Sequence, residues 1–293
     1  MRAITRLVVS SFQLSYRAKI AFFFNFIFPL LMAFAYFQIF ARGAPEAVAR
    51  MMGPLVSLTI MINALLIAGM RSAEMRERDM FRQFHLTPVT AFHVVMSDML
   101  LGYLLFLPVL AAELLLGLYG YHMPFAGSIS EFFLMCSVGY LTLSALGVLL
   151  SSLVNTVQEA NVVIQLVFFV LLFLSGTTMP LEDLPRSLQR IATFTPPTLM
   201  IVPLNGILLR GDTLLQHAPE IAALLATCVA AGIVAVLVFR WDKYEKVPRR
   251  NRIQAIVTLI PLLIVGMVLN SSSHQSWLPA ATSPAHTTIP QSR

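Results

Sequence analysis

The chain has 293 residues, of which 57% are hydrophobic and 12% charged, and it carries a formal net charge of +6. A soluble domain usually carries about 25% charged residues, so this composition excludes an ordinary soluble globule. The basic surplus gathers at the ends of apolar runs, which points to membrane topology rather than nucleic-acid binding.

In chain order, residues 1–19 come first. Ile4, Leu7, Val8, Phe12, Leu14 and Tyr16 are interleaved with Arg6, Ser10 and Arg17. That pattern predicts an interfacial helix lying flat on the cytoplasmic surface, with a flexible basic anchor as the alternative. A secretory signal peptide fits poorly, because the apolar run after Arg17 and Lys19 is too long and lacks a cleavage-like end. Apolar runs near the roughly 20 residues of a spanning helix then recur at 20–40, 51–70, 97–118, 131–153, 160–176, 220–240 and 253–269. The expectation is an all-α membrane protein, with a six-span domain over 20–245 and a basic linker and seventh span over 246–269. The tail 270–293 is rich in Ser, Thr and Pro and reads as disordered.

Lysine and arginine placement sets the orientation, because basic residues stay on the cytoplasmic side. With the N-terminus inside, 14 of the 20 fall inside: Arg2, Arg6, Arg17, Lys19, Arg71, Arg76, Arg78, Arg82, Arg240, Lys243, Lys246, Arg249, Arg250 and Arg252. Arg42, Arg50, Arg186, Arg190, Arg210 and Arg293 fall outside. The distribution favours a cytoplasmic N-terminus.

Several polar or helix-bending residues interrupt the spans: Asn25, Pro29, Pro54, Asn63, Pro108 and Glu113. A carboxylate in hydrocarbon is costly, so it faces protein or a water-filled cavity. Glu113 therefore either lines a translocation path or makes one interhelical hydrogen bond. Asp98, at the start of its span, is expected to be solvated. Asn25 and Asn63 are expected to join helices. Cys136 and Cys228 each sit alone in an apolar run and read as small packing residues.

Two segments are neither spans nor plain loops. Residues 71–90 are charged. Glu74 and Arg78 stand at i,i+4, Asp79 and Arg82 at i,i+3, and Met80, Phe81 and Phe84 share a face. This predicts a short amphipathic helix that ends at Thr87, before Pro88, with Thr90 capping the next helix. Its exposed aromatic side suits either a partner groove or lipid headgroups. The second segment starts at Leu174. Leu181, Leu184, Leu188 and Ile191 keep helical spacing, and Pro196 and Pro197 stop that helix. The next apolar run, Thr198 to Leu209, has only 12 residues and contains Pro203, Asn205 and Gly206. At that length a re-entrant helix is favoured over a span. Two short helices over about 178–212, dipping into the outer leaflet, are expected there.

These segments resemble signatures of the type-2 ABC-transporter permease family. After its second span that family carries a stretch close to E-R-E-x-G-T-x-E-x-L-x-x-T-P-(V/L). Arg76, Glu77, Thr87, Pro88 and Val89 match it, and Phe84 replaces the Leu. Met75, Asp79, Met80 and Arg82 depart from it. After the fifth span the family has S-G-x-x-x-P-x-x-x-x-P, matched by Ser175, Gly176, Pro180 and Pro185. Leu188, Ile191, Pro196, Thr198 and Arg210 follow its continuation more loosely.

The resemblance implies that residues 73–87 form a coupling helix docking on a separate ATPase, with Glu74, Arg76, Glu77, Arg78, Phe81, Arg82, Thr87 and Pro88 as contacts. It implies an outer gate at Ser175, Gly176, Pro180 and Pro185. It places a substrate pathway along spans one, two and five, for which Asn25, Phe28, Asn63, Glu113, Gln165 and Phe169 are candidates. It further implies a second permease subunit, the same chain or a different one, and a place in the bacterial inner membrane.

No G-x-x-x-x-G-K-[ST] or H-E-x-x-H sequence occurs. The chain is therefore expected to catalyse nothing and to hold neither cofactor nor metal, with ATP and Mg bound by the partner. Export of a drug, antibiotic, lipid or glycolipid is the implied activity. A secondary carrier coupled through Glu113 remains the alternative. An intramembrane enzyme would need paired catalytic groups at one depth, and Asp98 is the only aspartate within a span.

Overall fold

The computed structural model describes residues 23–78, 90–178 and 185–239, together with Ile264 and Met267. The flat helix at 1–19, residues Phe81, Arg82, Thr87 and Pro88, Pro180, nearly all of the seventh span and the tail lie outside the described residues.

Every regular element among the described residues is helical. A π-helical turn, Phe23–Ile27, leads into α1, Phe28–Phe40. The long helix α2 runs over Pro45–Glu77, α3 over Ala91–Gly120, α4 over Ile129–Ser152 and α5 over Val157–Leu174. Two shorter helices, α6 at Arg186–Ala192 and α7 at Pro196–Arg210, meet at 93°. The last is α8, Leu214–Leu237. Among the described residues five helices are long and apolar enough to cross a membrane, or six if the bent pair is counted as one span. The all-α membrane architecture expected from composition is therefore present. Over the described residues α1 is only a 13-residue helix.

Helix boundaries follow local chemistry. Pro45 sits in the first turn of α2, where its missing N–H costs nothing. Thr156 caps α5 by accepting from Glu159 N–H, and Glu159 returns a bond to the N–H of Asn155. Thr90 does occupy the N-cap of α3, but its hydroxyl pairs with His93 Nδ1 at 2.7 Å instead of with the backbone. Ser175 ends α5, and Gly176 follows with φ +79°, the left-handed turn that glycine supplies after a helix.

The centre of the bundle is α4, which packs against α2, α3, α5, α7 and α8. Lipid tails are as apolar as leucine, so helices in a bilayer associate through close packing and polar contacts. The tightest approach is between α2 and α4. A Cβ on Gly69 would lie 2.9 Å from the Gly147 carbonyl oxygen, and one on Gly147 would lie 2.6 Å from that of Leu65. Only glycine fits at either point. The run read as a re-entrant helix, α7, is buried along most of its length, including Pro203, and packs against α2, α4 and α8. A Cβ on Gly53 of α2 would collide with Asn205, and one on Gly139 of α4 with Met200. Protein covers the backbone of α7, as irregular backbone at membrane depth requires.

Arg71, Arg76 and Arg78 cluster where α2 finishes, which makes this the basic end of the bundle. The opposite end carries α6, α7 and the start of α8. Substituting Gly147→Val should lower stability by about 1–3 kcal/mol, since backbone on α2 leaves no room. Gly232 on α8 has nothing within 4 Å of an added Cβ. Gly232→Ala should be neutral or slightly stabilising, and thermal unfolding of both variants in detergent checks the pair.

Candidate transport site

The segment singled out after span two is not a separate helix at its start. The spanning helix α2 continues unbroken to Glu77, and Arg78 leaves helical geometry. Glu74 and Arg78 are both exposed and face one another at 4.0 Å, as their i,i+4 spacing predicts. Glu77 is exposed, and its carboxylate accepts the N–H of Val157 at 3.0 Å, so it also caps α5. Arg76 points inward and is 5% exposed. Its guanidinium donates to the carbonyls of Ser151 and Val154, each at 3.0 Å. These carbonyls lie at the C-terminal end of α4, where backbone acceptors lack helical partners and the dipole favours a cation. Arg76 is therefore unlike the exposed contact residue that its motif position suggested.

A turn earlier, Arg71 binds Asp98 of α3 through Nε at 2.6 Å and through a second nitrogen to the Asp98 carbonyl at 2.9 Å. The expectation that Asp98 is solvated does not hold. It is 9% exposed, and Arg71 supplies the countercharge that burial demands. Gly102 makes room for this pair, since a Cβ there would sit 2.9 Å from the Arg71 guanidinium. In the sequence Arg71 reads only as a topology charge. Its separation of 27 residues from Asp98 gives no local signal.

Deeper in the bundle, Glu113 of α3 is fully buried and accepts a 2.8 Å hydrogen bond from Thr59 of α2. Of the two readings left open for Glu113, the interhelical hydrogen bond is the one present. Its Oε2 has no hydrogen-bond partner among the described residues. Among the described residues, Asn63 bonds within its own helix and not to another, unlike the expectation. It donates to the Thr59 carbonyl of its own helix at 3.0 Å, within a π-helical stretch, Met61–Ile67. Such stretches interrupt the regular ladder and recur at functional sites. Thr59, which sequence reading did not single out, touches both groups.

A cleft of about 310 Å³ opens between α2 and α5, lined by Leu66, Ile67, Met70, Arg71, Glu74, Asn161, Ile164 and Gln165. Of the pathway candidates, Gln165 lines it. Phe28 and Phe169 are exposed on α1 and α5, and Asn63 and Glu113 lie elsewhere in the bundle. Asn25 falls in the π-helical turn before α1, and its side chain lies outside the described residues. The structure thus does not gather the candidates into one cavity.

At the other end, Ser175 is buried and its carbonyl accepts from Thr198 of α7 at 3.1 Å, while Tyr36 of α1 donates to the Thr177 carbonyl at 3.3 Å. Gly176 makes the turn, and Pro185 starts α6, exposed. Ser175 thus fastens the end of α5 to α7. Beyond α7, Asp212 accepts from Arg210 at 2.5 and 2.9 Å and from His217 at 3.2 Å, directly over Gly206. Partial burial pushes the Asp212 carboxyl up, but hydrogen bonds from Arg210 and His217, with their charges, outweigh it and hold it below the usual carboxylate range.

The sequence profile of the ABC-2 family transporter protein matches residues 9–237. The chain belongs to that family. It is similar to the probable multidrug ABC transporter permease YbhR of Escherichia coli K12, at 25% identity over 142 residues, covering 48% of this chain and 39% of the relative. It is also similar to the inner membrane transport permease YhhJ of the same strain, at 28% identity over 191 residues, covering 64% of this chain and 51% of that one. The chain thus spans about half or less of the length of the curated relatives it matches. No solved structure gives a significant match. The expected type-2 ABC permease is thereby established, and this is an integral membrane permease.

For the permease, Asp98→Ala leaves Arg71 without its partner and should cost about 3 kcal/mol in chemical unfolding, whereas replacing both by apolar residues of similar size should cost little. The Asp212 contribution is fully present above the ordinary carboxylate range and is lost as pH falls through its lowered folded value. Thermal midpoints measured against pH should show that acid loss in the native chain and a flatter profile in Asp212→Asn.

Proposed function

We propose that the chain is the membrane subunit of an ATP-driven exporter that carries an amphiphilic or hydrophobic compound (a drug, antibiotic, lipid or glycolipid) outward. A separate ATPase subunit would bind ATP and Mg, and a second permease subunit, identical or different, would complete the pathway. Membership of the ABC-2 family supports this reading, as do relatives named as a multidrug permease and an inner membrane permease. The positive-inside rule supports a cytoplasmic basic end and a cytoplasmic N-terminus, and a relative named as an inner membrane permease supports a place in the bacterial inner membrane.

The observation that carries the reading is the unbroken run of α2. One helix extends from the buried Thr59 and the half-buried Asn63 to the exposed Glu74 and Arg78. A push on its end is carried along this rod into the bundle interior. Two places in that rod are weak, Pro54 and the π-helical stretch, because each interrupts the regular hydrogen-bond ladder. The cleft beside Gln165, with apolar walls and a few polar groups, suits an amphiphile entering from the cytoplasmic side. Glu113, buried with Thr59 as its hydrogen-bond partner, keeps an ion-coupled carrier as the second reading.

The test is affinity capture of the intact chain from its host in mild detergent. An ATPase should co-purify, and Arg78→Glu should weaken its recovery while thermal stability stays unchanged, because Arg78 is 74% exposed. Recovery of no ATPase by the native chain, with transport running on an ion gradient, would sink the ATP-driven reading.

A further inference from the structure

Three polar ties leave the last turns of α2 within seven residues. Arg71 binds Asp98 of α3, Arg76 binds the carbonyls of Ser151 and Val154 on α4 and the turn after it, and Glu77 binds the N–H of Val157 at the start of α5. The family motif places Arg76 and Glu77 side by side. The structure points them at the two sides of one turn, residues 153–156, which joins α4 to α5. Arg76 satisfies acceptors at the end of one helix, and Glu77 satisfies a donor at the start of the next. Both are charge-assisted bonds at helix termini, where an ion also complements the dipole. Arg76 is 5% exposed and so has little surface left to offer a docking partner.

We infer that Arg76 and Glu77 are positioning residues that clamp the α4–α5 turn to the end of α2, so that displacement of α2 by the ATPase is passed to α4 and α5. This rests on the ATP-driven reading above. The cytoplasmic segment then has two roles, with Glu74 and Arg78 facing outward for the partner and Arg76 and Glu77 facing the permease. The close approach at Gly69 and Gly147 fixes α2 against α4 one to two turns before the clamp. The clamp then adds α5, which also faces α2 across the cleft at Glu74 and Asn161. The two residues do not contribute equally. Arg76 is buried against the Ser151 and Val154 carbonyls, whereas Glu77 is exposed and accepts the Val157 N–H, so the loss of Arg76 is the more severe.

The experiment uses the full chain in complex with the ATPase that co-purifies with it. Hydrogen exchange is followed by mass spectrometry, with and without a non-hydrolysable ATP analogue. In the native complex the analogue should change exchange in the peptide covering 150–160 by roughly tenfold, the size of an ordinary coupling between sites. Arg76→Ala and Glu77→Ala should keep the ATPase at native stoichiometry but lose that change, with exchange in α8 unaltered. Glu77→Gln keeps an acceptor for the Val157 N–H but loses the charge, and should retain part of the change while Glu77→Ala loses it. Arg76→Lys, which keeps the charge but cannot span both carbonyls, should retain part of the change; it serves if Arg76→Ala fails to fold. Release of the ATPase by Arg76→Ala or Glu77→Gln would make these residues docking contacts and overturn the inference. A response at 150–160 that persists undiminished in Arg76→Ala, or that is absent in the native complex, overturns it too. A native chain that brings down no ATPase instead overturns the reading beneath it.

Discussion

At Gly69 and Gly147 the backbones of α2 and α4 come so close that a single added carbon on either would meet a carbonyl of the other helix. In water such a contact would be one apolar contact among many. In a bilayer it carries more weight, because lipid competes equally for every apolar face and only tight fit distinguishes protein from solvent. The rest of the basic end depends on this approach. It brings Arg76 within reach of the final carbonyls of α4, and Glu77 within reach of the first donors of α5. With a larger residue at Gly147 the two helices must separate, and those bonds lengthen or break.

Several of the buried polar groups join helices. Thr59 meets Glu113 across α2 and α3, Thr142 of α4 donates to the Leu224 carbonyl of α8 at 3.1 Å, and Thr198 meets Ser175 across α7 and the end of α5. Short hydroxyl side chains hydrogen-bond locally to their own helix and across to the next, which suits them to joining helices in hydrocarbon. Asp98 and Arg71 are the costlier case, a charged pair at the rim of the bundle. There the pair ties α2 to α3 without placing an isolated charge in lipid. The bundle is thus organised around α4, with α2 as the element that both enters its core and leaves it at the basic end.

Much of the fold was legible in the sequence. Apolar runs of spanning length located α2, α3, α4, α5 and α8 to within a few residues at most ends, because backbone satisfaction in a bilayer forces such runs into helices. α3 and α8 start at Ala91 and Leu214, ahead of their predicted runs, and α2 departs at both ends, starting at Pro45 and running on to Glu77, since charged residues beyond an apolar run end the hydrophobic signal but not the helix. The break at Pro196 and the short α7 were readable from proline chemistry and length. The candidate site was less legible. The Glu74–Arg78 pair follows from helical spacing, but the inward direction of Arg76 depends on where α4 ends, which no local pattern encodes. Asp98 reads as solvated because its partner, Arg71, lies on another helix. The pathway candidates rest on residue type, and type alone does not show which face of a helix meets the bundle. Gln165 and Phe169, four residues apart on one face of α5, are both exposed, and Gln165 borders the cleft.

The central claim is that energy enters from ATP through the end of α2. The most direct measurement is uptake of a fluorescent amphiphilic dye into inverted proteoliposomes holding the permease with its co-purified ATPase. A protonophore is present to remove any ion gradient. The predicted result is accumulation that requires ATP and Mg and survives the protonophore. Dye movement that needs an imposed proton gradient, proceeds without ATP and disappears in Glu113→Gln would contradict it.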